Sequence, residues 1–523
     1  MIEKRAISVE WSLAVPMVPM AVMLAVGLWG LGRPSYWRDE SVSVESGRKP
    51  LTELWNSLRG TDAVHGLYYL ILHPVTAVGT GETVTRLPSV LAAAAAAGGI
   101  AVLARRFHSP AAGLSAGLIY AVLPLVSRYA QETRQYTMVS AAVVLATYLL
   151  VRALEQPRPH LRWYGWYAVA LAGLGWLHLF SLFILSAHVV TVVVLVRHRG
   201  TTWRPHLLAW GAAVAAALAA VLPLVLVARR QQAQVAWLTA PSPHAVVDFG
   251  LLVAGGSAML LALLALAGIG IAALLGGSAE GATIVLPWLV LPLASNMIIS
   301  QVHPVYHPRY VLYTVCALAI AAGVGTAAIA ARLPRPASYA VLAAIPVSLG
   351  WLGLPAQVAN REPGSRPDNL RALAAVLRAE ARPGDAVLFL PLYRKDFVTV
   401  YGDAYARLNA TALAAGADDL PAGRFRSAIG AQRRIWVVEV PPPRRRYRSP
   451  IPLRNFAALR ADHDFIRNGR WKFGTVRLDL FVRTCSSGGS APTGAGRSVP
   501  DPTAGEPPAR PCRGAGTGTP VRS

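Results

Sequence analysis

Residues 13–43 read LAVPMVPMAVMLAVGLWGLGRPSYWRDESVS. The first twenty carry no charge, and at 1.5 Å per residue a helix of that length crosses a hydrocarbon core of about 30 Å. The next eleven hold Arg38, Tyr36 and Trp37 around two adjacent acids, Asp39 and Glu40. A membrane span that opens at once into an acid pair raises two readings. RDESVS can begin a short helix with its acids at the positive end, or the pair can be a reactive centre at the membrane surface. The residues alone leave both standing.

Working outward, the composition fits a membrane protein. Of 523 residues, 54% are hydrophobic and only 15% charged, against about 25% charged in a soluble domain; mean hydropathy is +0.42. The formal net charge of +24 does not point to nucleic acid, because no basic stripe with interleaved aromatics occurs. Much of the Arg lies in short loops, where topology and anionic headgroups account for it. Of the three cysteines, Cys316 falls in an apolar run and Cys485 and Cys512 in the tail, with neither metal-ligand spacing nor a disulfide framework.

A sliding window places eleven spans, near 12–32, 86–104, 111–126, 137–153, 164–177, 178–196, 206–228, 249–275, 282–300, 309–331 and 337–356. HGLYYLILHPVTAVG (65–79) is too short to cross and reads as an interfacial or re-entrant helix. The first span lacks a convincing cleavage site and reads as retained, with a cytoplasmic N-terminus. Alternate loops then collect Arg105 and Arg106; Arg152, Arg158 and Arg162; Arg197, Arg199 and Arg204; Arg332 and Arg335, as cytoplasmic loops should. The outer loops become 33–85, 127–136, 229–248 and 301–308, with everything after 356 also outside. Arg128, Arg134, Arg229, Arg230 and Arg309 fall on that outer side, where an anionic ligand would give them a purpose.

Residues 361–483 change character. DAVLFLP, RRIWVVEVP and TVRLDLFVR alternate with RPDNLRALAAVLRAE and LRNFAALRADHDF, which predicts a small α/β domain outside the membrane. Residues 484–523 are rich in Gly, Pro, Ser and Thr and read as a disordered tail. The domains expected are therefore 1–360, 361–483 and 484–523.

Between residues 87 and 360 the acids are only Glu132, Glu155, Asp248 and Glu280. Glu132, in SRYAQETRQYTM, falls at the outer edge, in the layer of Asp39 and Glu40. Three carboxylates ringed by Arg38, Arg128, Arg134 and Arg309 suit a reaction with two needs. A carboxylate takes a proton from an attacking hydroxyl, and cations stabilise a departing phosphate. Each residue also has a plainer role. The arginines can snorkel to headgroups, Glu132 can pair with a neighbouring Arg, and His65, Tyr68, Tyr69, Tyr129 and Tyr136 can form an interfacial belt. In QVHPVYHPRYVLY (301–313), His303, His307, Arg309 and Tyr310 cluster at a span end. The two prolines argue against a regular helical zinc pair, so phosphate contact is the better reading.

In order and spacing, this pattern resembles the GT-C superfamily of membrane glycosyltransferases. It is most like the branch with protein O-mannosyltransferases and lipid A aminoarabinose transferases. The features that carry the likeness are a retained span followed by YWRDE, then DAVHGLYYLILH, TRLPSVLAAAAAAGGIAVLARRF, SRYAQETRQYTM and HPRY. The resemblance covers about residues 1–360. It implies a GT-C transmembrane fold in a bacterial plasma membrane and transfer of a sugar, expected to be mannose, from a polyprenyl-phosphate donor with inversion. The acceptor would be a protein, lipid or polysaccharide. It makes Asp39 the base, Glu40 its helper and Glu132 the second-loop carboxylate. Arg38, Arg128, Arg134, Tyr136, His307, Arg309 and Tyr310 fall on the donor phosphate, and His65 and Tyr68 on the acceptor side. A divalent metal on the acid pair is compatible with this but not required. Two differences stand out: HGL where relatives often have HPP, and Glu at position 132 where they often have Asp. A transporter or flippase of lipid-linked glycans is the alternative; it would place ionisable groups near the bilayer midplane. A third reading is a non-catalytic assembly protein, which would tolerate loss of Asp39.

Overall fold

Apolar runs in a membrane chain have nowhere but their own backbone to place N–H and C=O groups, so they form helices. In the computed structural model of the chain, described for residues 2–198, 203–235, 237–277, 279–390, 396–408, 422–440 and 451–484, the helices dominate one unit, residues 1–366, and a small sheet organises a second, residues 367–523. Most of the anticipated tail, with Cys485 and Cys512, lies outside the described residues. Cys316 is a buried free thiol.

The helices of the first unit are α1 (Ile2–Leu28), α2 (Arg38–Arg48), α3 (Leu51–Gly60), α4 (Gly66–Val78), α5 (Glu82–Phe107), α6 (Pro110–Val122), α7 (Pro124–Ala130), α8 (Tyr136–Leu154), α9 (Leu161–Leu177), α10 (Ile184–His198), α11 (Trp203–Arg230), α12 (Ala245–Ala254), α13 (Ser257–Gly277), α14 (Ala279–Ile299), α15 (Val315–Ala330) and α16 (Arg335–Ala359). Among the described residues, eight segments are long and apolar enough to cross a membrane. Helices α6 and α7, bent by 66° at Leu123–Pro124, make a ninth if taken as one span. Helices α1 and α9 stand where the two remaining spans were expected.

Several expected spans are broken rather than continuous. Residues 249–275 are split between α12 and α13, because Gly255 leaves the helix at φ +72°, a region open to Gly without a Cβ penalty. Short 3-10 turns, Leu179–Phe183 and Pro308–Thr314, precede α10 and α15. Helix α4 has 13 residues, about 20 Å, too short to cross. Its Tyr68, Tyr69 and Leu72 are buried.

The centre of the unit is the segment Pro308–Ala330, almost all of whose residues are buried. It packs so closely because of glycine. A Cβ on Gly270 of α13 would lie 1.8 Å from the Ala321 carbonyl oxygen of α15, and one on Gly325 would lie 1.9 Å from that of Leu266. Small residues let membrane helices approach backbone to backbone. At the ends of α5 and α8, Arg106 and Glu155 form an ion pair. The opposite ends of the same two helices carry Arg86 and Tyr136. The first acid pair and Glu155 thus lie in opposite layers.

The second unit contains α17 (Leu370–Glu380), β1 (Ala386–Leu390), α18 (Asp396–Val400), α19 (Gly402–Tyr405), α20 (Ala422–Gly430), β2 (Arg434–Glu439), α21 (Ile451–Ala461), β3 (Phe465–Phe473) and β4 (Val476–Arg483). The sheet order is β1-β2-β4-β3. The β1–β2 pair is parallel; the other two pairs are antiparallel. Asn369 caps α17 by accepting from Ala372 N at 3.1 Å. Strands β1, β2 and β4 match the apolar runs read from sequence. Strand β3 was not anticipated: it is an edge strand whose residues are mostly exposed, so alternation is weak there.

Candidate active site

Helix α2 begins at Arg38, after Trp37 in extended conformation, and no side chain caps it. Asp39 and Glu40 lie in its first turn, where free N–H groups favour negative charge. Successive residues on a helix diverge by about 100°, which sends the two carboxylates to different places.

Glu40 points inward and is fully buried. Arg86, at the start of α5, grips it with two hydrogen bonds, Nε to Oε1 and Nη2 to Oε2, both 2.8 Å. Thr133 N adds a third at 2.8 Å. Arg86 also donates to the carbonyls of Leu31 (2.9 Å) and Pro34 (3.0 Å), so one guanidinium holds the turn between α1 and α2. Glu40 is therefore held within the protein, where it fixes the first turn of α2 that also carries Asp39.

Asp39 points the other way and is 26% exposed. Its Oδ2 accepts from Arg309 Nη1 at 3.0 Å across 270 positions of sequence. Rings surround the Arg309 guanidinium, with centroids 5.4 Å (Tyr310), 5.6 Å (Tyr136), 5.7 Å (Trp37) and 5.8 Å (Trp237) away. Such rings attract a cation face-on. His307 accepts from Arg309 N at its own Nδ1 and so fixes the start of the 3-10 turn. Burial, with Arg309 beside it, pushes the His307 imidazole down to about 3, so it is neutral at pH 7. His303 is exposed.

Arg134 faces the protein. It donates to the Asp39 carbonyl (3.4 Å), Ser43 Oγ (3.2 Å), Tyr136 Oη (3.4 Å) and His65 Nε2 (2.8 Å). Because Arg can only donate, His65 Nε2 is the acceptor and Nδ1 carries the hydrogen, 3.8 Å from Asp62 Oδ1. Burial and Arg134 hold His65 well below its usual range. Arg134 thus ties the first turn of α2 to His65 and Tyr136. Arg38 is half-buried at the first residue of α2.

Glu132 is 1% exposed, with Arg366 Nε at 3.3 Å and Arg128 Nε at 3.7 Å from its Oε1. Burial pushes its carboxyl up, against the pull of both arginines. The three acids share a layer, but only Asp39 reaches solvent. Buried polar atoms in this layer that make no hydrogen bond among the described residues include Trp37 Nε1, Tyr68 Oη, Glu132 Oε2, Arg134 Nε and Arg309 Nε. Buried polar groups are nearly always paired, so a polar ligand fits here.

Sequence reasoning missed Arg86, Trp237 and Arg366. Arg86 had a usable signal, a charge at the head of a span. Trp237 had none. Arg366 lay beyond the composition shift and was read with the other unit.

Of the acid pair, Glu40 is held by Arg86, and among the described residues no group of three His, Cys, Asp or Glu is spaced to hold a metal.

Residues 67–227 match the family model of dolichyl-phosphate-mannose-protein mannosyltransferases. In structure, the chain is similar to ArnT from Cupriavidus metallidurans solved bound to undecaprenyl phosphate. The two are 16% identical, the match covers 91% of this chain and 99% of that one, and the TM-score is 0.59. The chain has the GT-C fold of membrane glycosyltransferases. The apo form of ArnT gives the same result, with 15% identity, coverage of 90% and 98%, and a TM-score of 0.58. The oligosaccharyltransferase of Archaeoglobus fulgidus in its apo form matches less well, at 11% identity, coverage of 82% and 69%, and a TM-score of 0.48. No curated protein matches the sequence. In GT-C terms, this is a multi-pass membrane chain whose candidate site lies at one end of the helices.

Proposed function

We propose that the chain transfers a sugar, mannose, from a polyprenyl-phosphate donor to an acceptor hydroxyl at the outer face of a bacterial plasma membrane, with Asp39 as general base. The observation that carries this is the Asp39–Arg309 contact. It joins a partly exposed carboxylate to a caged, buried guanidinium. The acceptor oxygen attacks the anomeric carbon, its proton passes to Asp39, and the bond from that carbon to the phosphate oxygen breaks. The polyprenyl phosphate leaves with the bonding pair, and its charge is met by Arg309. Attack opposite the leaving group inverts the anomeric centre. The family match over residues 67–227 and the likeness to ArnT support the donor class.

The test is Asp39→Asn in membranes supplied with radiolabelled polyprenyl-phosphate mannose. A general base contributes about 10²–10⁴ in rate, so transfer should fall by at least a hundredfold. Full activity in the variant would sink the assignment of Asp39. Transfer of another sugar in preference would overturn mannose alone.

A further inference from the structure

The seven residues after α16, Asn360–Arg366, are not a plain linker. Arg361 lies 4.1 Å over the Trp29 ring. It donates to the carbonyls of Val26 and Trp29 at 2.7 Å each, and to Ser127 Oγ at 2.9 Å. Arg366 donates to the carbonyls of Arg128 (3.3 Å) and Gln131 (3.2 Å) and pairs with Glu132. These carbonyls lie at the C-terminal ends of α1 and α7, the negative ends of the helix dipoles. Between the two arginines, the Pro363 carbonyl accepts from Ser35 N at 3.1 Å, four residues before Asp39. One short strap therefore ties the end of α1, the loop leading to the acid pair and the turn after α7. Both arginines are buried.

We infer that this strap is a positioning element of the candidate site, and that Glu132 acts through Arg366 to hold the strap rather than on substrate. The inference rests on the transfer reaction for its activity readout, and hydrogen exchange tests it apart from that reaction. The competing role for Glu132 is contact with substrate through Oε2, which has no partner among the described residues. The two roles differ in outcome.

The experiment uses full-length Glu132→Gln, Arg366→Gln, the double variant and Arg366→Lys, each checked for monodispersity in detergent. Amide exchange is followed across residues 31–40, and transfer from polyprenyl-phosphate mannose is measured over pH. The strap predicts that each single variant speeds exchange there by roughly tenfold, that the double variant is no worse than either single one, and that Arg366→Lys, which keeps the charge and the fold, falls between. The pH–rate profile should keep its shape. Unchanged exchange across 31–40 in all variants would overturn the strap, whether or not transfer is detected. A Glu132→Gln profile that loses its acid limb, with losses that multiply in the double variant, would overturn the role given to Glu132. If the wild-type chain transfers no sugar, the reaction fails and the exchange data still decide the strap.

Discussion

At the scale of the residue, helical rotation explains why an adjacent pair of acids divides its work. Asp39 leaves α2 toward solvent and Arg309; Glu40 leaves it toward Arg86. The sequence could reveal the pair and its position after a span. It could not reveal the direction of each side chain, which depends on where α2 begins and on the partner that α5 presents. Breaking a buried ion pair by removing one member costs about 3–5 kcal/mol. Arg86→Met and Glu40→Gln should therefore each lower the melting temperature of the purified protein by several degrees or prevent its accumulation. Asp39→Asn should leave thermal stability near the wild-type value. Thermal unfolding in detergent of the three variants side by side makes the comparison, and an Arg86→Met protein as stable as wild type would contradict the anchor role.

At the scale of the element, what was legible depended on the signal each element carries. Uninterrupted apolar runs gave α5, α8, α11, α14 and α16 at the expected places. Breaks within runs were not legible, because Gly255, the bend before Pro124 and the 3-10 turns before α10 and α15 leave hydropathy unchanged. Those breaks matter, since Arg309 and Tyr310 sit in one of the 3-10 turns. The turn is capped by His307, whose imidazole is held at about 3 against an ordinary 6.5. Between these values the unfolded chain binds a proton that the folded chain refuses, so stability is lost as pH falls from about 6.5 toward 3. His307→Gln should flatten that dependence. Melting temperatures at pH 7 and pH 5 should converge in the variant relative to wild type, and an unaltered slope would mean that other groups set it.

At the scale of the whole molecule, the fold rests on the crossing of α13 and α15. Gly325→Val would push a side chain into the Leu266 carbonyl, whereas a Cβ on Gly268, also on α13, meets nothing within 4 Å. Gly325→Val should collapse the yield of monodisperse protein while Gly268→Val is tolerated; size-exclusion profiles of the two settle it. The enclosure of this crossing also has a consequence for how the molecule is made. Chains emerge at about 5–20 residues per second, so roughly 10–40 s separate synthesis of the end of α6 from that of the segment that ends in α15. Through that interval the nascent chain exposes the small-residue groove that Pro308–Ala330 later fills, and carries Asp39 without Arg309. The ribosome thus delivers the keystone late, and whatever shelters the unfinished bundle must release it only when that segment arrives.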